Sequence, residues 1–115
     1  MNTPTPPDAC LLYVTTGNLE EAQHIARELL QEQRIACANV IPGMRSYYTW
    51  QGQMEEEQEC ILLLKTRMSL QAAVRARVAE LHSYEVSAIL TISLADGHVP
   101  FMDWIAEETE GAAGR

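Results

Sequence analysis

The chain has 115 residues, 47% of them hydrophobic, and a formal net charge of −8; that length supports one domain and is too short for two independent cores. The negative balance argues against nucleic acid and against anionic membrane surfaces, since both are bound by Lys and Arg that neutralise phosphate charge. No apolar run approaches the roughly 18 residues that cross a bilayer, and the three cysteines, Cys10, Cys37 and Cys60, are odd in number and read as reduced, inert thiols of a cytoplasmic protein.

Residues 1–9 lack the basic and apolar segments of a secretory signal, and their prolines predict a flexible leader. Residues 10–16, CLLYVTT, form a short, nearly continuous apolar run of the kind found in a central strand. Gly17 turns the chain, Asn18 with Glu21 makes a variant of the capping box, and Ala22, Ile25, Ala26, Leu29 and Leu30 follow at helical spacing to about Arg34. Residues 36–66 then read as two long strands joined at Gln51-Gly52. The first arm is rich in β-branched and aromatic residues, with Pro42-Gly43 marking a bend or bulge. The second opens on QMEEEQE and closes on CILLLKT, and its unbroken apolar stretch from Cys60 to Leu64 requires cover on both faces.

Ser69 starts a second helix that ends near His82, with an apolar stripe of Leu70, Ala73, Val74, Val78 and Leu81 and with Arg75 and Arg77 pointing elsewhere. Residues 88–95, AILTISLA, supply a fourth strand, Asp96-Gly97 a turn, and residues 100–108 a terminal helix around Phe101, Trp104 and Ile105. The tail, residues 110–115, carries no large apolar side chain and is expected to fray. The order β-α-β-β-α-β is the ferredoxin-like pattern of an α+β fold, here spanning residues 10–109 with an added C-terminal helix. Both helices then pack on one face of an antiparallel sheet. The other face stays apolar, which predicts a homo-oligomer built through the sheets.

The run IACANVIPGMRSYYTWQGQMEEEQECILLLKT, followed by HSYEVSAI and a Trp in a terminal helix, closely resembles the CutA family, named for divalent-cation tolerance. The similarity covers residues 11–105. It implies a PII-like subunit that forms a homotrimer, with a cleft between subunits approached by Trp50, Glu59, Lys65 and Tyr84. Some relatives carry a Cys at the end of the first strand and paired histidines before the tyrosine motif, a set suited to copper. At the aligned positions this chain has Val14, Leu81 and His82, so only one of those donors survives. It also has Ser83 and Ser87 where prolines are frequent.

Imidazole and carboxylate can share a divalent ion, which makes His82 and Glu85 the metal-site candidates and a divalent ion such as copper the candidate ligand. For His82 the competing reading is a helix-terminal imidazole that satisfies the last carbonyls. Glu55, Glu57 and Glu59 alternate onto one side of the third strand with Glu56 opposite; they either attract divalent ions or keep a projecting hairpin soluble. Thr15-Thr16-Gly17-Asn18 leads into a helix N-terminus but contains no phosphate-binding glycine motif, and His98 beside Asp96 is a polar loop residue. No hydrolase triad or metalloprotease motif is present. The expected function is therefore a binding or regulatory protein in metal tolerance, not an enzyme. The alternative is a PII-like module that holds a small anion with Lys65, Tyr84 and Trp50.

Overall fold

The computed structural model describes residues 8–112. Strand β1 (Ala9–Thr16) leads to helix α1 (Leu19–Gln31), the strands β2 (Cys37–Trp50) and β3 (Gln53–Arg67), a 3-10 turn (Met68–Leu70), helix α2 (Gln71–Leu81), strand β4 (Ile89–Ser93) and helix α3 (Val99–Glu108). The strands form one antiparallel sheet in the order β2-β3-β1-β4, the ferredoxin-like arrangement with an extra C-terminal helix. Most of the leader lies outside the described residues; Ala9, its last member, already pairs with Arg67.

Alternation along the central strands divides their side chains between two environments. Cys10, Leu12 and Val14 of β1 and Cys60, Leu62 and Leu64 of β3 point beneath α1 and α2, where they pack with Ile25, Leu29, Val74 and Val78 and are at most 5% exposed. Burying each of the larger aliphatic chains contributes roughly 1.5–3 kcal/mol. The residues between them face the other way. Leu11, Tyr13, Ile61 and Leu63 are half-buried there, and Leu90, Ile92 and Ile41 remain 59%, 45% and 47% exposed. Helix α3 covers one corner of this open face, where Met102 and Ile105 pack on Ala9 and Ala36.

Helix ends and faces differ from the sequence expectation in ways with local causes. Helix α1 stops at Gln31, short of Arg34, because Gln33 takes a left-handed φ of 58° and the amides of Gln33 and Arg34 close back on the carbonyls of Leu30 and Leu29. This is a Schellman stop with glutamine in the place usually held by glycine. On α2 Ala73 is exposed, and Arg75 reaches across to the sheet, donating to Thr91 Oγ1 at 2.7 Å. Arg77 clasps Glu32 at the end of α1 at 2.8 Å; that hydrogen bond, more than Arg34 beside it, holds the Glu32 carboxyl below its ordinary pKa. In α3 the buried residues are Met102 and Ile105, whereas Phe101 and Trp104 look outward. Of the tail expected to fray, Glu110–Ala112 form a 3-10 turn with Ala112 buried, and residues 113–115 lie outside the described residues.

The β2–β3 hairpin outruns the helices. The molecule measures 58 × 26 × 22 Å with a radius of gyration of 15.5 Å, against about 13 Å for a compact chain of this length, and the excess is the projecting arm. At its tip Gln51 and Gly52 have φ of 51° and 81°, the pair of left-handed residues that a type I′ turn requires. At its base the pairing slips between Ile41 and Met44, because Gly43, with φ of 82°, adds one residue to β2 as a bulge.

The turn sets the register of the whole arm. Gly52→Ala places a Cβ in a left-handed conformation and lowers stability by about 1–2 kcal/mol, read as a lower urea midpoint. Gln51→Asn, which tolerates that conformation better, moves the midpoint the other way.

Candidate functional site

Where the arm leaves the body, its inner side and the loop between α2 and β4 enclose a cleft of about 710 Å³, lined by Tyr48 and Trp50 from β2, Glu55, Glu57 and Glu59 from β3, Thr15 from β1, and Tyr84 and Glu85 from the loop. The lining follows from hairpin register. A two-residue turn at Gln51-Gly52 pairs Trp50 with Gln53, Tyr48 with Glu55 and Ser46 with Glu57, so one side of the arm presents aromatic rings on one strand and carboxylates on the other. At the intervening pair Tyr47 donates to Glu56 at 3.0 Å; Tyr47 also contributes to the cleft lining, whereas Glu56 does not.

Tyr84 is the hinge of the cleft floor. Its ring lies over Gly17, where an added Cβ would come within 2.9 Å of the phenolic oxygen, and its hydroxyl donates to Glu59 Oε2 at 3.0 Å. Glu59, 7% exposed, is thereby both covered and partly neutralised as an acceptor. Burial, then the Glu59 hydrogen bond and charge, then Glu57, push the Tyr84 phenol well above the ordinary tyrosine range. The Tyr48 hydroxyl is raised in the same direction by partial burial and by its contact with Glu57, with Glu59 and Glu55 adding to it. Both phenols are held protonated because a phenolate would stand among carboxylates.

The residues singled out from sequence separate into two groups. Trp50, Glu59, Tyr84 and Glu85 meet at the cleft, and the carboxylates at 55 and 57 join them. Lys65 lies six residues along β3 from Glu59, about 20 Å away at strand rise; its Nζ donates to Asn39 Oδ1 at 2.7 Å and sits 5.8 Å above the Phe101 ring. His82 does not line the cleft. Its side chain is fully buried, Nε2 lies 2.7 Å from the Thr15 carbonyl oxygen, and Nδ1 accepts the Tyr84 amide at 3.0 Å. With both ring nitrogens engaged, it has no lone pair free for a metal ion, and it does not form a site with Glu85. Its partner is not the helix end alone, as the competing reading held, but the neighbouring strand β1.

Other motifs resolve simply. Asn18 caps α1 by accepting the Glu21 amide at 2.8 Å, so that helix start is spent on capping. Asp96 accepts from the following amide of Gly97 at 2.8 Å, and the His98 carbonyl takes the first amides of α3. Cys10, Cys37 and Cys60 are free, and burial raises the Cys10 thiol. Among the described residues no three His, Cys, Asp or Glu side chains converge closely enough to hold a metal within one chain.

Residues 10–108 match the protein family described as CutA1 divalent ion tolerance protein. The divalent-cation tolerance protein CutA of Thermus thermophilus is 37% identical over 99 residues, covering 86% of this chain and 96% of that one. Human protein CutA is 32% identical over 108 residues, 94% of this chain, which spans 60% of the length of the human protein. The crystal structure of the divalent ion tolerance protein CutA1 from Ehrlichia chaffeensis superposes with a TM-score of 0.87 at 31% identity, covering 91% of this chain and 98% of that one.

The carboxylate control of Tyr84 is open to direct measurement. In an alkaline titration followed by phenolate absorbance, Glu59→Gln brings one tyrosine down toward the ordinary range, because the charge that opposed the phenolate is gone. Gly17→Ala has the same direction of effect by lifting the ring off Glu59. A titration curve unchanged in both variants rules out the Tyr84–Glu59 contact.

Proposed function

The chain belongs to the CutA1 divalent ion tolerance family, and on that footing we propose that it binds divalent cations at the arm cleft and contributes to metal tolerance as a binding or regulatory protein rather than an enzyme. The observation that carries this reading is the cleft lining, where Glu55, Glu57, Glu59 and Glu85 border one cavity and, among the described residues, no Lys, Arg or His lines it. Carboxylate oxygens suit hard and borderline divalent ions, and among the first-row ions copper binds a given oxygen and nitrogen set most tightly. Copper is therefore the ion to test first. Glu55, Glu57 and Glu85 are the side chains that would hold it, with Glu59 behind Tyr84 as a further donor.

One chain supplies too few converging ligands, and its open sheet face is apolar. Both deficits are met in a homo-oligomer, and a closed ring that buries Leu90, Ile92, Phe101 and Trp104 while bringing a neighbour to the arm supports a trimer over an open stack. The three free cysteines fit a reducing compartment, the cytoplasm. The alternative of a small anion finds little support, since an anion entering this cleft meets only negative charge within the subunit.

Two measurements test the reading. Light scattering on untagged protein gives a mass three times 12.9 kDa; a monomer at micromolar concentration removes the shared site. Titration of copper into metal-free protein gives binding that weakens about tenfold or more, roughly 1.4 kcal/mol, in the double variant Glu57→Gln with Glu85→Gln. His82→Ala does not abolish the site directly. Equal isotherms for wild type and the glutamate double variant refute the cleft as the cation site.

A further inference from the structure

Below the cleft floor lies a buried polar group that cation binding does not use. The Thr15 carbonyl oxygen can only accept, so the 2.7 Å contact from His82 Nε2 puts a proton on Nε2. The Tyr84 amide can only donate, so its 3.0 Å contact requires a bare lone pair on Nδ1. His82 is therefore a neutral Nε2–H imidazole in this structure. Against the same Nδ1, at 3.4 Å, stands Glu21 Oε1 from α1. That carboxylate oxygen is buried and has no hydrogen-bond partner. Two acceptors thus face each other with no proton between them, an arrangement that folded proteins avoid.

We infer that Glu21 and His82 are positioning residues of the cleft and act as a proton-operated brace on Tyr84. A proton taken from solvent onto Nδ1 gives an N–H that donates to Glu21 Oε1, satisfies the orphaned oxygen and forms an ion pair. The nitrogen has a single in-plane position, so the Tyr84 amide loses its acceptor in the same step. The loop then keeps the Ser87 Oγ contact to the Tyr84 carbonyl at 3.3 Å, the Thr15 amide on the Ala88 carbonyl at 3.4 Å and the Tyr84 hydroxyl on Glu59. The two arrangements are mutually exclusive at Nδ1: either the Tyr84 amide is held and Glu21 Oε1 is unpaired, or Glu21 is paired and the Tyr84 amide is freed. The Tyr84 ring over Glu59 is then held by its hydroxyl contact without the support of its own amide.

The charges around the pair leave Glu21 as the receiver. It is the facing carboxylate on α1; β1 presents only the Thr15 carbonyl. On β3 the charges of Glu59 and Glu57 lie beyond the Tyr84 ring. On α2, Glu80 is held by Arg77 at 3.0 Å and Arg75 is turned to Thr91. Imidazole is also the side-chain type that exchanges its proton between pH 5 and 8.

The consequence for cation binding rests on the cleft reading above; the brace itself does not. In isotopically labelled, metal-free protein, the Tyr84 amide resonance follows the same titration curve as the His82 ring nitrogens between pH 8 and pH 5. In Glu21→Gln the carboxylate that receives the Nδ1 proton is gone, so the Tyr84 amide moves only at lower pH than in the wild type. Tyr84→Phe preserves the coupling between the residue-84 amide and the imidazole. A Tyr84 amide that stays fixed across that range overturns the brace, as does an amide transition that is unchanged in Glu21→Gln. Should Glu21→Gln fail to fold, the wild-type amide decides the matter. Copper titrations on the same samples separate the two claims: coupled titration without cation binding keeps the brace and discards the cleft reading, and binding with a fixed amide does the reverse.

Discussion

Strand β3 has to work in two media at once, and the rest of the molecule depends on its doing so without a break. Over Gln53–Arg67 it runs from a solvent-exposed turn into the centre of the sheet. Its even-numbered inner residues, Cys60, Leu62 and Leu64, are sealed under the helices. Its odd-numbered residues form one continuous row, apolar at Ile61 and Leu63 and acidic at Glu59, Glu57 and Glu55. The alternation of the pleat makes the cleft wall an extension of the open sheet face. The cleft wall and the exposed apolar sheet face are therefore two ends of the same row of side chains.

That continuity explains why the cleft is built from so many elements. The arm alone could not desolvate a carboxylate; Glu59 becomes buried because Gly17 leaves room for Tyr84 to lie over it. Tyr84 in turn is placed by His82, which borrows the Thr15 carbonyl at the end of β1, and His82 lies beside Glu21 in the first turn of α1. The Glu59 carboxylate is thus tied through Tyr84 and His82 to β1 and α1. Protonated phenols and closely grouped carboxylates share the cleft because the negative charge opposes ionisation of Tyr48 and Tyr84.

Much of this was legible in the residues. Strand alternation, the Gln51-Gly52 turn and the helical spacing of Ile25 and Leu29 report local geometry directly, so the ferredoxin-like order and the long hairpin could be read. The hairpin register could also have placed Tyr48 and Ser46 opposite Glu55 and Glu57, a signal that was present in the sequence and went unused. What periodicity does not report is what a face meets. Phe101 and Trp104 look outward from α3 because Met102 and Ile105 take the inner positions on Ala9 and Ala36. His82 carries the residue type of a ligand, yet its ring is turned inward by partners 67 residues upstream and two residues downstream. Nothing in the spacing marked Glu21 as more than half of a capping box, and no glycine announced the stop at Gln33.

The extra residue at Pro42-Gly43 has a geometric consequence for how such a molecule can vary. Before it, Cys37, Asn39 and Ile41 share the open side; after it, Met44, Ser46, Tyr48 and Trp50 do. The bulge is a phase changer between body and arm. Were the same residues paired in strict alternation with no bulge, Tyr47 and Arg45 would swing inward and Tyr48 and Trp50 would turn out to water, emptying the cavity of its aromatic wall while leaving the interior untouched. Arm and body are thereby interlocked by counting: the additional residue of β2 has to be absorbed at the base of the hairpin for the aromatic side chains of the arm to keep their side.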